Sequence, residues 1–107
     1  MYYIDIEIGG RVRKLKYDYN AIADLEERAG MGIGRLFDED NIGLHTIRLI
    51  IWAGLRHEER GLTTDRVGKM IQEYIEGGGD LEDLVGKAVE ALEKCEFLSK
   101  NPKAGAV

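Results

Sequence analysis

His57-Glu58-Glu59-Arg60 opens like the zinc-protease helix motif, in which two imidazoles one turn apart hold the metal and the glutamate between them acts as base. The second histidine belongs at position 61, and Gly61 stands there. The other histidine, His45, would lie about 18 Å away along a continuous helix axis. The two cannot share a metal, so this segment reads as a solvated, charged helix end. Cys95 is the single cysteine. A catalytic thiol needs a positioned base, but Cys95 continues the apolar stripe Leu84, Ala88, Leu92 and reads as a small buried hydrophobe. Gly30, Gly32 and Gly34 look like a phosphate cradle. A dinucleotide loop follows a strand and opens a helix, whereas this one follows a helix, and no lysine with Ser or Thr completes a P-loop. It reads as a helix stop and turn, as do Gly77 to Gly79. The acids Glu26-Glu27 and Asp38-Glu39-Asp40 are consecutive, point in different directions and read as solvated faces. The sequence therefore offers no catalytic residue, no metal site and no cofactor-binding site, and the expectation is a protein that is not an enzyme.

Two surface features remain. Arg11, Arg13, Lys14 and Lys16 form a basic cluster, with Tyr3 across from Lys16 as a possible stacking surface. A nucleic-acid platform needs more aromatic area than that, and lysines and arginines on a strand also deter sheet-to-sheet aggregation. The cluster reads better as edge protection. Ile33, Leu36 and Phe37 sit in a glycine-rich, loop-like region. They either lid the core or form a partner-binding patch, since hydrophobes on irregular segments serve recognition.

The elements that position these residues follow from periodicity. Tyr2, Ile4, Ile6 and Ile8 alternate with Tyr3, Asp5 and Glu7, the period of a strand. Gly9-Gly10 suits a two-residue hairpin turn. That turn pairs Ile8 with Arg11, Ile6 with Arg13, Ile4 with Leu15 and Tyr2 with Tyr17. It sets Asp5 opposite Lys14 as a favourable cross-strand pair. A two-stranded ribbon is marginal by itself, so the hairpin must lie on the helices that follow. These are expected at about 19–29, 43–58, 64–76 and 81–98, with Asp18, Thr63 and Asp80 as N-caps and Gly30 and Gly77 as stops. Leu44, Ile47, Ile50, Ile51 and Leu55 form the core stripe of the second helix, widened by Leu49, Trp52 and Ala53. Val67, Met70, Ile71, Tyr74 and Ile75 form that of the third. The expected architecture is α+β, an N-terminal two-stranded antiparallel hairpin (2–17) on a bundle of about four helices. It makes one domain over residues 1–98, with a flexible tail at 99–107.

Composition agrees with this frame. A chain of 107 residues suits one domain. The net charge of −5 favours solubility and works against broad phosphate-backbone binding. The first residues, MYYIDIEI, lack the basic and apolar regions of a signal peptide, and no apolar run spans a bilayer. The expectation is a soluble, cytoplasmic protein without membrane, nucleic-acid or small-molecule partners.

Four motifs stand in order along the chain: Tyr17-Asp18-Tyr19-Asn20-Ala21, Trp52-Ala53-Gly54-Leu55-Arg56-His57-Glu58, Leu62-Thr63 and Val67-Gly68. Across roughly residues 11–76 the chain resembles phage tail-assembly chaperones, the small tail protein family shared by siphophages, prophages and gene transfer agents. The resemblance implies a non-enzymatic role in the bacterial host cytoplasm. Family members bind the tape-measure protein, keep its hydrophobic helices soluble, help recruit tail-tube proteins, and in many cases self-associate, which implies a possible homo-oligomer. The alternatives are a small nucleic-acid-binding regulator and a tail structural component. A tube subunit would need far more sheet than one hairpin.

Overall fold

A computed structural model describes residues 2–36, 38 and 42–95. It is an α+β fold with β1 (Tyr3–Ile8), β2 (Arg11–Lys16), α1 (Tyr19–Ala29), α2 (Ile33–Leu36), α3 (Leu44–Leu55), α4 (Thr64–Glu76) and α5 (Leu81–Glu93). The two strands form one antiparallel sheet, with Ile8 opposite Arg11, Ile6 opposite Arg13 and Ile4 opposite Leu15. Gly9 and Gly10 carry φ of 64° and 82°, the double left-handed turn that leaves the strands in their natural twist. The register puts Ile6, Ile8, Leu15 and Tyr17 on the face that packs against the helices, and these four are buried with Leu25, Ile50, Ile51, Leu55, Val67 and Leu84 in one core. Asp5 does face Lys14. The Lys14 ammonium sits 4.6 Å from the centre of the Tyr3 ring, and no ion pair with Asp5 is made.

The helix starts follow local chemistry. Asp18 accepts from the Ala21 amide, Thr63 from the Arg66 amide and Asp80 from the Glu82 amide, each satisfying a donor that a helix start leaves open. Gly30 ends α1 in the left-handed conformation at φ 73°. Three expectations are corrected. The glycine-punctuated stretch after α1 contains the short helix α2, whose first amide, on Ile33, donates to Glu26 Oε2 at 2.6 Å. Glu26 is thus a half-buried cap rather than a solvated acid. The second long helix ends at Leu55 rather than 58, since His57 and Glu58 turn away to bond β2. The final helix ends at Glu93, with Lys94 as its C-cap and its amide bonded to the Glu90 and Leu92 carbonyls, rather than running on toward 98. Residues 96–98 and the expected tail at 99–107 lie outside the described residues.

Cys95 is buried against the start of α1, its thiol 3.4 Å from the Tyr17 carbonyl and 3.3 Å from that of Ala91. Burial, reinforced by Asp18, pushes the thiol up to about 11, and burial likewise pushes the Tyr17 phenol upward. Both neutral forms favour the fold: the thiol's contribution is complete below its ordinary value of about 8.5 and is lost as pH rises toward 11, and the phenol's begins to be lost only above its ordinary value of about 10. The midpoint of urea unfolding is therefore expected to fall steadily above about pH 9. A thiol reagent at pH 8 is expected to label Cys95 in urea but not in the native protein, and equal labelling rates would show that the thiol is open to solvent.

Candidate functional site: an apolar groove between helices

The motif residues are spent on the fold. Tyr17 donates its hydroxyl to the Ile50 carbonyl at 2.7 Å inside the core. Trp52 donates its indole N–H to the Leu62 carbonyl at 2.9 Å, tying α3 to the entry of α4. The Arg28 and Arg56 guanidinium groups lie 4.2 and 5.1 Å from the centre of the Trp52 ring. Arg56 pairs with Asp24 on α1. His57 Nε2 meets the Lys14 carbonyl at 2.7 Å and Glu58 accepts from the Lys14 amide. Among the described residues, no group of three or more His, Cys, Asp or Glu side chains is placed to hold a metal ion. His45, exposed on the first turn of α3, lies against Arg48, Nδ1 to Nη2 3.3 Å, far from His57 in the chain and on a different part of the fold.

The proposed hydrophobic patch is dispersed. Leu36 is fully buried, so its side chain belongs to the core rather than to a docking surface. Ile33 is half-buried and packs on that core. Phe37 lies outside the described residues. The basic cluster is dispersed as well. Arg13 shares the inward face of β2 with Leu15 and is 2% exposed, with its guanidinium bonded to the Ile8 and Gly9 carbonyls and to Glu59. Alternation from Leu15 carried that signal, but the charge of Arg13 obscured it. Edge protection therefore falls to Arg11, Lys14 and Lys16 without Arg13.

A different surface is open. Between α3, α4 and the first turn of α5 runs a groove of about 490 Å³, floored by Ile47 and Ile71 and walled by Leu44, Ile75 and Leu81. Leu44 is 76% exposed and Ile75 43%, although the helical stripes assign both to the core. Their period marks the correct face of each helix, but among the described residues neither side chain is covered by a neighbouring element. The floor is shaped by Gly68, where a Cβ would stand 3.3 Å from Arg48 Cδ, so the glycine lets the Arg48 stem lie across α4. Arg48 reaches Asp65 at 3.6 Å, and its Nε is buried with no partner among the described residues. The rim carries Gln72, which donates to Glu76 at 3.2 Å. The arrangement can hold an apolar side-chain stripe.

No family model, curated protein or solved structure matches this chain. Among the described residues, no helix is long and apolar enough to cross a membrane.

Proposed function

We propose that this protein is a non-enzymatic tail-assembly chaperone that binds the tape-measure protein and assists assembly of the tail tube. One observation carries the holding half of the reading: a strongly charged domain keeps an apolar groove open, with Leu44 and Ile75 exposed at its walls. Exposed apolar surface of this kind on a small domain marks an interaction site, and a groove between two helices suits the apolar stripe of a third. The partner's identity is supported by the motif order over residues 11–76, which resembles the tail-chaperone family. The net charge of −5 keeps the holder soluble while its cargo is not.

Co-expression with a tape-measure fragment tests this. The fragment is expected in the soluble fraction, bound to the chaperone. Leu44→Asp with Ile75→Asp is expected to leave the melting curve nearly unchanged, since both side chains are exposed. Losing two apolar anchors is expected to weaken binding by about 3 kcal/mol, roughly a hundredfold. A fragment equally insoluble with and without the chaperone would overturn the proposal.

A further inference from the structure

The two edges of the hairpin are finished differently. In this register Ile8–Arg11, Ile6–Arg13 and Ile4–Leu15 exchange the ladder hydrogen bonds, so the backbone groups of Tyr3, Asp5 and Glu7 on β1, and of Val12, Lys14 and Lys16 on β2, point outward. On β2 the outward groups are taken. The Lys14 amide donates to Glu58, the Lys14 carbonyl meets His57 Nε2 at 2.7 Å, and the second Glu58 oxygen lies 3.6 Å from Arg11 Nη1. Two side chains stand where a neighbouring strand would run. On β1, nothing among the described residues bonds the outward groups of Tyr3, Asp5 and Glu7, and all three residues are exposed. A cleft of about 440 Å³ opens at the turn end of this edge, between Glu7 and the Tyr74, Gly77 and Lys87 side of the helices.

We infer that the free edge of β1 takes up an extended, basic segment of another protein by strand addition. Charge selects the occupant. Asp5 and Glu7 form no ion pair among the described residues, and Lys14 is held over the Tyr3 ring. An incoming strand with Lys or Arg at alternate positions sets those residues opposite the two acids. Its intervening residues turn toward Tyr74. A second copy of this chain does not fit. Pairing β1 with another β1 over its full length sets Asp5 against Asp5 and gives neither strand a base, and pairing β1 with another β2 requires His57 and Glu58 to be displaced. The inference is independent of what the groove between α3 and α4 holds.

The test uses the full chain, isotope-labelled, and a synthetic peptide Arg-Val-Arg-Lys-Leu-Lys-Tyr, the sequence of residues 11–17. Shifted two residues from the register that β2 holds, this peptide sets its two lysines opposite Asp5 and Glu7 with leucine between them. At saturating peptide, amide exchange at Tyr3, Asp5 and Glu7 is expected to slow by about tenfold or more, while the amides of Ile4, Ile6 and Ile8 are already slow in the free protein. Asp5→Asn with Glu7→Gln is expected to weaken binding about tenfold. Methylating alternate peptide nitrogens on the edge that faces β1 is expected to abolish it, because backbone pairing then fails while charge is kept. If the peptide does not bind at about 1 mM, the acids guard the edge rather than recruit a strand and the inference is overturned. It is equally overturned if the methylated peptide binds as well as the parent.

Discussion

Replacing Gly54 with alanine is expected to destabilise the protein by about 2 kcal/mol, although alanine is the better helix former by about 1 kcal/mol. Gly54 lies in α3 and is buried where the helix meets the hairpin. A Cβ there would stand 2.6 Å from Leu15 Cδ2 and 2.8 Å from both Cζ and Oη of Tyr17. Neither neighbour can yield cheaply. Leu15 and Tyr17 are fully buried, and the Tyr17 hydroxyl is fixed to the Ile50 carbonyl, one turn earlier on the same helix. The methyl group must therefore push the hairpin away from α3 or break that hydrogen bond. Either movement disturbs a close-packed interior. A loss of about 2 kcal/mol corresponds to a fall in melting temperature on the order of 10 °C for a domain of this size. The double variant Gly54→Ala with Tyr17→Leu separates this cause from others. If the clash with the ring dominates, the two changes together cost at least about 1 kcal/mol less than the sum of the single changes. A Gly54→Ala protein more stable than the parent would show that helix propensity outweighs the contact.

The glycine shows how much of the fold the sequence made legible and where it stopped. Caps, stops and register are decided by residues close in the chain. Asp18, Thr63 and Asp80 begin helices through their own side chains, and Gly9-Gly10 fixes every cross-strand pair. Such local chemistry reads directly. What Gly54 and Gly68 accommodate is set by partners far along the chain, Tyr17 and Arg48, and no periodicity reveals it. The groove was missed for a related reason. A stripe through Leu44 and Ile75 says which face of a helix is apolar but not whether a neighbour covers it. Leu36 lids the core, one of the two readings its setting left open. Glycines at 32 and 34 made its surroundings look like a loop, and they hold instead a short helix that Glu26 caps from α1. In Arg13, charge argued for the surface while strand alternation argued for the interior, and alternation prevailed because the hairpin turn supplies acceptors beneath it.

That last case carries the second large effect. Arg13→Met is expected to cost about 3 kcal/mol. The arginine donates Nε to the Ile8 carbonyl at 3.0 Å, Nη2 to the Gly9 carbonyl at 3.4 Å and Nη1 to Glu59 at 3.2 Å. One guanidinium thus locks the turn of the hairpin and ties it to the connection between α3 and α4. Methionine fills much of the apolar stem but takes the second donor from the Ile8 carbonyl, which keeps its ladder bond from Arg11, and the side-chain donor from the half-buried Gly9 carbonyl, and it leaves Glu59 without its buried partner. Lysine keeps the charge with a single ammonium head and cannot reproduce the fork, so Arg13→Lys is expected to fall between the two. Glu59 supplies a second signature. Its carboxyl is held below the ordinary range first by the hydrogen bonds from Arg66, the closer at 2.6 Å, and then by Arg13. A depressed carboxylate adds stability above its unfolded value, about 4.3, that is lost as pH falls through the lower folded value. Urea midpoints of the native protein are therefore expected to drop on acidification below about pH 4. The acid limb of Arg13→Met should be shallower but present, because Arg66 still holds the carboxylate. Removing both partners, in Arg13→Met with Arg66→Met, should flatten the Glu59 share of that limb. An Arg13→Met protein within about 0.5 kcal/mol of the parent would mean the turn finds other donors, water among them, and that the hairpin is held to the helices by its isoleucine face rather than by the fork.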